Sequence, residues 1–175
     1  MNDIIRAMIE RRSVRRFRPE MPPEQDIEQI IQAGLYAASS RGRQGTVILP
    51  VTSREWREKL VRDNRTIGGW EGDFDPFYGA PVILIVLGDK SSANRVYDGS
   101  LVMGNLMLAA HSLGLGSIWI HRAKEEFEMP EYKKLLEELG VPGEWEGIGH
   151  CAVGYAADPL PPPPPRKTPR VFRVN

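Results

Sequence analysis

The sequence predicts a mixed α+β domain rather than an all-helical protein or a strictly alternating βαβ protein. Its 175 residues are enough to bury one core, and 41% hydrophobic with 26% charged residues is typical of globular proteins. About five segments have helical patterns and four or five have strand patterns, in an order that does not alternate.

Five segments have the apolar spacing or the terminal residues of helices. The first has a single apolar stripe and ends near Arg12. The second follows two prolines and an acid, and the third begins with Thr52 and Glu55, which have the spacing of a capping box. The predicted helices cover residues 4–12, 24–38, 52–63, 98–113 and 130–139.

Strands are predicted where short apolar or β-branched runs lie between turn residues. The run Pro81–Leu87 is apolar without interruption, which is typical of a strand buried on both faces. Before it lies a loop, Gly68–Gly79, that is rich in glycine, acids and aromatic residues. The other predicted strands are Thr46–Val51, Ser117–His121, Ile148–Tyr155 and a terminal strand at Val171–Val174.

The predicted helix Asp98–Leu113 is apolar on almost every side. Such a helix lies either in the core of a monomer or at a large interface between two chains. The residues of the helix alone leave both alternatives open.

Charge and hydropathy exclude several classes of partner. The chain carries 23 basic and 23 acidic side chains, whereas a nucleic-acid-binding protein normally has a basic excess, so no nucleic acid is expected. The most apolar segment, Ser100–Gly116, is shorter than the roughly 20 residues of a membrane span, so no membrane partner is expected. With no apolar leader pattern and a single cysteine, we expect a cytoplasmic location.

Common catalytic and metal-binding motifs do not match this sequence. Gly114 and Gly116 follow a helix and precede a strand, the reverse of the order in a dinucleotide-binding loop. The three histidines lack metal-ligand spacing, so no metal site is predicted. Cys151 lies in an apolar strand pattern, which favours a buried thiol over a nucleophile. We therefore assign no catalytic side chain and expect a cofactor to carry any chemistry.

Arginines make up six of the first 18 residues. In the sequence, Ser13 is flanked by Arg11 and Arg12 on one side and, after Val14, by Arg15 and Arg16 on the other. A guanidinium group offers a planar fork of donors that matches a phosphate, and serine adds a short donor. The cluster indicates either a phosphate site or a solvated basic face, and a non-enzymatic anion-binding module is a further alternative.

The same residues resemble the opening signature of the FMN-dependent nitroreductase family, Arg-Arg-Ser-x-Arg-x-Phe, at positions 11–17. Other segments similar to that family follow in its order over nearly the whole chain. They are residues 37–44, 79–81, 98–113, 113–119, 147–155 and 166–167. The chain departs from the family pattern at Ala38 in place of Pro, at Gly42 in place of Asn, at Gly45-Thr46 in place of Pro-Trp, and at Pro164 in place of a lysine.

This resemblance implies a three-layer fold with a central, mostly antiparallel sheet flanked by helices, in an intertwined homodimer. It implies FMN at the dimer interface and ping-pong hydride transfer from NADH or NADPH to nitroaromatic, quinone or similar flat acceptors. An alternative within the same fold is other flavin chemistry, namely reductive dehalogenation or processing of the flavin itself.

The resemblance also assigns the cofactor contacts residue by residue. The N-terminal arginines and one C-terminal arginine would hold the phosphate, a segment near residue 40 would contact the flavin across the dimer interface, and residues 120–122 would lie near the isoalloxazine ring. The implied cofactor-binding residues are Arg11, Arg12, Ser13, Arg15, Ser39, Arg41, Gln44, Ile120, His121, Arg122 and Arg166.

Two peripheral segments each have two interpretations. The loop Gly68–Gly79 is either a lid whose aromatic residues stack on the substrate or a plug for the core. The aromatic residues concerned are Trp70, Phe74, Phe77 and Tyr78. The chain is divided into an FMN-binding domain, 1–160, and a proline-rich arm, 161–175, which either reaches the partner subunit or forms a disordered tail.

Overall fold

The computed structural model of the chain describes residues 1–174, so the last residue of the predicted arm, Asn175, lies outside the described residues. Helices and strands are mixed along the chain, as the sequence predicts. The helices are α1 (Asp3–Glu10), α2 (Glu24–Leu35), α3 (Arg54–Gly68), α4 (Arg95–Ser112), α5 (Ala123–Glu126) and α6 (Pro130–Glu138). The strands are β1 (Thr46–Val51), β2 (Val82–Asp89), β3 (Gly116–Ile120) and β4 (Trp145–Gly154).

The four strands form one antiparallel sheet in the order β1-β2-β4-β3. The start of β1 and the end of β3 lie at the same end of the sheet, because Thr46 is opposite Gly88 in β2 and Ile120 is opposite His150 in β4. A parallel bridge between Ser13 and Ser117 adds the N-terminal segment at the opposite end of β3.

Helices cover both faces of the sheet and give three layers. The alternating side chains of β2 account for this, since Val82, Leu84 and Val86 pack against α2 and α4, while the intervening residues pack against α3 and α6. Every residue from Val82 to Gly88 is buried. The uninterrupted apolar run in this strand is therefore explained by burial on both faces.

Several element boundaries differ from the sequence prediction. Helix α2 ends at Leu35, three residues before Ala38. Helix α3 is capped by Ser53, whose hydroxyl oxygen accepts a 3.4 Å hydrogen bond from the amide of Trp56, so the predicted capping role of Thr52 is wrong. The short α5 was not predicted because four residues carry too little periodicity.

The predicted terminal strand at Val171–Val174 is also wrong for the described chain. These residues have no strand geometry, and they are exposed like the rest of the segment from residue 158 onward. Val171, Phe172 and Val174 are 72%, 78% and 100% exposed, so no part of the described chain covers them.

Two helices leave apolar surface uncovered within residues 1–174. None of the eight residues of α1 is buried, although Ile4, Ile5, Met8 and Ile9 form an apolar stripe. Helix α4 buries one face but leaves Tyr97 71% and Leu101 50% exposed. Among the described residues, no helix is both long and apolar enough to cross a membrane.

Candidate functional site

The N-terminal arginine segment is held against the start of β3 by backbone bonds and two buried side chains. Ser13 bridges to Ser117, and the amide of Val14 donates a 3.1 Å hydrogen bond to the carbonyl of Ser117. Val14 and Phe17 are buried in the core and anchor this segment. At the edge of the sheet, Arg11 and Arg12 therefore precede the first anchor, and Arg15 and Arg16 lie between the two anchors.

Three guanidinium nitrogens in this segment are buried and have no hydrogen-bond partner in the part of the chain that the structure describes. They are Nη1 of Arg11 and Nε and Nη2 of Arg12. Arg12 uses its other terminal nitrogen to donate a 2.5 Å hydrogen bond to the carbonyl of Arg11. Buried charged donors without partners are costly, so they favour an anion at this place. The donor set fits a phosphate, whereas Arg15 is exposed beside it.

The other end of β3 is held by a network of fully buried polar side chains. Nε2 of His150 lies 2.6 Å from Oε2 of Glu126, and the amide nitrogen of Asn64 donates a 2.8 Å hydrogen bond to the other oxygen of Glu126. All three side chains have 0% exposure. We call Asn64, Glu126 and His150 the buried polar triad.

The buried polar triad also holds two consecutive backbone carbonyls at the end of β3. Nδ1 of His150 lies 3.3 Å from the carbonyl oxygen of Ile120, and Asn64 donates a 2.9 Å hydrogen bond to the carbonyl of His121. In a trans peptide the N–H points opposite to the C=O. The N–H groups of His121 and Arg122 are therefore directed away from the triad.

A cleft of about 630 Å³ lies at this end of β3. Its walls include the predicted flavin residues His121 and Arg122, together with Trp119 and the start of β4. His121 is exposed and Arg122 is half-buried, so both side chains are accessible to a ligand. Ile120 is buried and can contribute only its backbone.

Arg122 stacks on the first aromatic residue of the loop that follows α3. Its guanidinium carbon lies 4.2 Å from the centroid of the Trp70 ring. The ring of Phe74 meets Trp70 edge to face at 4.9 Å, and Tyr78 lies 6.0 Å beyond Phe74. Trp70 and Phe74 are 38% and 39% exposed, so both rings are accessible from outside the described chain.

The structure assigns the four loop aromatics different environments. Phe77 is fully buried, with its ring centroid 5.2 Å from that of His150, so its predicted substrate contact is wrong and it fills the core. The second half of the loop is fastened by Asp75, which pairs with Arg57 and accepts a hydrogen bond from the amide of Gly79. The lid hypothesis therefore applies only to Gly69–Phe74.

The segment Ser39–Gln44 forms a compact turn before β1. The hydroxyl oxygen of Ser39 accepts a 3.0 Å hydrogen bond from the amide of Gln44, and the amide of Ser40 donates a 2.9 Å bond to the buried carboxylate of Asp98. Arg41 and Gln44 have φ angles of 54° and 52°, a region that non-glycine residues rarely occupy. Their side chains are exposed.

The arginine segment and the cleft lie on a line along β3, one toward each end of the strand, and this arrangement suits an elongated ligand. The arginine segment lies at Ser117 and the cleft residue His121 lies four residues further along β3, a separation of about 13 Å at the usual rise of a strand. Arg166 is not joined to this line within the described chain. It lies in the exposed arm and donates a 3.0 Å hydrogen bond to the carbonyl of Pro164.

Sequence reasoning missed the buried polar triad and Asp98. Each of these residues looks like surface composition or part of an apolar strand, and no spacing links three side chains that come from α3, α5 and β4. Cys151 is buried as expected, and burial raises the pKa of its thiol to about 12. Among the described residues, no group of three or more His, Cys, Asp or Glu side chains could hold a metal ion.

Known proteins resemble this chain over most of its length. A protein of Methanothermobacter thermautotrophicus, provisionally named an NADH dehydrogenase/NAD(P)H nitroreductase, is 33% identical over 160 residues that cover 83% of this chain and 80% of that protein. An iodotyrosine deiodinase of Thermotoga neapolitana is 27% identical over 169 residues, which cover 86% of this chain and 87% of that protein.

The fold also matches a solved structure with a bound cofactor. A nitroreductase with bound FMN from Bacteroides fragilis superposes with a TM-score of 0.90 and 26% sequence identity, over the whole of both chains. The family model described as "Nitroreductase family" matches residues 8–155. Because this match covers most of the chain and includes all four strands, the chain belongs to the Nitroreductase family.

Proposed function

We propose that this chain is an FMN-dependent oxidoreductase. It takes a hydride from NADH or NADPH in one half of a ping-pong cycle, and it reduces a nitroaromatic, quinone or similar flat acceptor in the other half. The observation that carries this proposal is the set of buried, unpaired guanidinium nitrogens of Arg11 and Arg12 at one end of β3. Family membership and the FMN bound in the Bacteroides fragilis relative support it.

The N-terminal arginines fit the phosphate end of FMN. Arg11 and Arg12 supply buried donors, the hydroxyl of Ser13 is half-buried beside them, and Arg15 adds an exposed positive charge. A phosphate that accepts from these donors removes the cost of leaving them unpaired. Binding of the phosphate then orients the rest of the cofactor along β3.

Bound FMN supplies the hydride chemistry, while the chain supplies binding, orientation and electrostatics. The buried polar triad sets the orientation of the peptide groups after Ile120, so that the N–H groups of His121 and Arg122 are available as donors in the cleft. Trp70 places an aromatic ring beside Arg122, and Phe74 packs edge to face against that ring.

We also propose that the active form is a homodimer. The uncovered apolar stripe of α1 and the exposed Tyr97 and Leu101 of α4 are surfaces that a second copy would bury. The turn Ser39–Gln44 would then offer Ser39, Arg41 and Gln44 to the flavin of the partner.

The boundaries of the domain and its arm belong to the same proposal. We assign residues 1–160 to the FMN-binding domain and residues 161–175 to an arm that reaches the partner subunit. The arm would bring Arg166 toward a phosphate, and its exposed apolar end, including Phe172, would find cover on the second chain. The lone buried thiol suits a reducing, cytoplasmic location.

The visible absorption spectrum of the purified protein tests this function directly. We expect a yellow protein with a flavin spectrum, or a colourless one that acquires that spectrum when FMN is added. It should oxidise NADH or NADPH steadily when 4-nitrobenzoate or a quinone is present. A protein that takes up no FMN under any of these conditions would refute the proposal.

Reductive dehalogenation is a second candidate function, because one relative is an iodotyrosine deiodinase that matches 86% of this chain. The phosphate site and the fold would be unchanged, and only the acceptor would differ. Release of halide from a halogenated phenol, in the presence of the reduced cofactor and without turnover of nitro compounds, would favour this candidate over the first.

A further inference from the structure

The side chain of Arg122 lies in the cleft without an acidic partner. Within residues 1–174, no carboxylate lies within ion-pair distance of its guanidinium group, whereas the nearby Arg95 pairs with Glu146 at 3.1 Å. Arg122 instead lies over Trp70, with 4.2 Å between its guanidinium carbon and the ring centroid. Its charge is therefore available to a ligand.

Stacking on an aromatic ring uses only the face of a guanidinium group. The five N–H donors lie in the plane of the group, and a carboxylate approaches in that plane and accepts two of them. The pair therefore offers a ligand two features. Trp70 supplies a flat apolar ring, and Arg122 supplies N–H donors that bind an anion in the plane of the guanidinium group. A planar aromatic molecule that carries a carboxylate has the matching chemistry.

Local features hold Arg122 in this position. A side chain at Gly68 would bring its Cβ to 3.1 Å from Nε of Arg122 and into the Trp70 ring, so glycine permits the close approach. Arg122 itself has a φ angle of 82°, and the carbonyl before it is held by Asn64 of the buried polar triad. The arginine is therefore positioned before any ligand arrives, which lowers the entropy lost on binding.

The surrounding charges are mixed but favour an anion next to Trp70. Lys124 lines the same cleft as a second cation and Glu125 lines it as an anion, while the carboxylate of Glu146 is paired with Arg95. The arginine segment meets β3 at Ser117, whereas Arg122 follows the other end of the strand, five residues further along the chain, so the two cations reach the site from different ends of β3.

We propose that Arg122, stacked on Trp70 and flanked by Phe74, binds the carboxylate of a flat aromatic acceptor. The site thereby selects anionic acceptors over neutral ones of the same shape. This inference rests on the proposed oxidoreductase function and specifies its substrate class.

A matched pair of acceptors tests this selectivity. The anionic 4-nitrobenzoate and the neutral 4-nitrobenzamide have nearly the same shape and the same reducible group. We expect the FMN-loaded protein to prefer the anion in kcat/KM by about 10-fold or more, because a hydrogen-bonded ion contact contributes on that scale. Equal kcat/KM values for the two acceptors would overturn the proposal.

Variants at three positions separate substrate binding from other roles. In Arg122→Gln, which keeps the backbone N–H assigned to the cleft, the ratio of kcat/KM for 4-nitrobenzoate to kcat/KM for 4-nitrobenzamide should fall about 10-fold or more, because only the anion loses its charged partner. Arg122→Lys should keep part of the preference, and Trp70→Leu should lose part of it because the stacking platform is gone. The control Lys124→Gln removes another cation of the same cleft and should leave the preference within about twofold.

Binding measurements give a readout that does not depend on turnover. Perturbation of the flavin spectrum by unreactive benzoate should give a Kd that rises in Arg122→Gln in proportion to the kinetic loss, whereas the Kd for FMN should be unchanged. An equal loss for both nitro acceptors together with weaker FMN binding would assign Arg122 to the cofactor and overturn the proposal. A protein that takes up no FMN overturns the proposed function as well, whereas an active yellow enzyme indifferent to acceptor charge overturns this inference alone.

Discussion

At the scale of single residues, adjacent arginines of one segment differ in what they can do. Arg11 and Arg12 have buried nitrogens without partners, whereas Arg16 pairs with Asp158 at the surface. A buried donor without a partner gains most from binding an anion, because it has no hydrogen bond to lose. An exposed donor gains less, because it must first give up its hydrogen bonds to water. We therefore expect the proposed phosphate-binding role to be concentrated in Arg11 and Arg12.

We expect Arg11→Ala to weaken FMN binding about 10- to 100-fold, since it removes a charge-assisted contact of roughly 1.5–3 kcal/mol. Arg15→Ala should have a smaller effect in the same direction, because Arg15 is exposed. Titration of the apoprotein with FMN, followed by quenching of flavin fluorescence, measures both. Arg16→Ala is the matched control and should leave the Kd within about twofold. Equal Kd values for Arg11→Ala and the wild type would contradict the assigned role.

At the scale of elements, the end of β3 depends on side chains from α3, α5 and β4. Nε2 of His150 lies 2.6 Å from Oε2 of Glu126, and Asn64 donates to the other oxygen of Glu126 and to the backbone carbonyl of His121. Among the described residues, Oδ1 of Asn64 is the one polar side-chain atom of the triad that lacks a partner. A buried polar network stabilises its surroundings through the members that are satisfied, here Glu126 and His150. The orientation of the Arg122 segment is thus coupled to the stability of the core.

We expect Glu126→Ala to lower the free energy of unfolding by about 3–5 kcal/mol, because it leaves His150 and Asn64 buried without their partner. Glu126→Gln should cost less, since its amide can donate to Nε2 of a neutral His150 and still accept from Asn64. Urea unfolding of both variants and the wild type provides the comparison. Similar losses in the two variants would show that hydrogen-bond satisfaction is not what the triad contributes.

At the scale of the whole molecule, the uncovered surfaces of α1, α4 and the arm indicate a second copy. An amphipathic helix with no buried residue gains little from packing within its own chain, so the apolar stripe of α1 is stabilised only if another chain covers it. The same chain would cover Tyr97 and Phe172, which are 71% and 78% exposed.

We expect Met8→Asp to convert a dimer into monomers, because it places a charge in the centre of the α1 stripe, where Met8 is 58% exposed in the single chain. Sedimentation velocity measures the change, and FMN binding should weaken with it if the flavin site is shared. Glu10→Gln, at the end of the same helix, should remain dimeric. A wild-type protein that sediments as a monomer would contradict the prediction.

The sequence by itself determined those features that depend on local pattern. The strand β2 follows from its apolar run, the helix α4 from its length and composition, and the candidate phosphate site from consecutive arginines around Ser13. The resemblance to a family was also visible in the order of the motifs, and the family match over residues 8–155 confirms it.

Only the tertiary structure decided where residues of similar type are buried and where they are exposed. Phe77 is buried while Trp70, seven residues earlier, supports Arg122, because Asp75 pins one half of their loop to α3 and leaves the other half at the cleft. The buried polar triad joins positions 64, 126 and 150, which no local spacing relates. Such contacts arise from packing between elements distant in sequence, so they become visible only when the chain is folded.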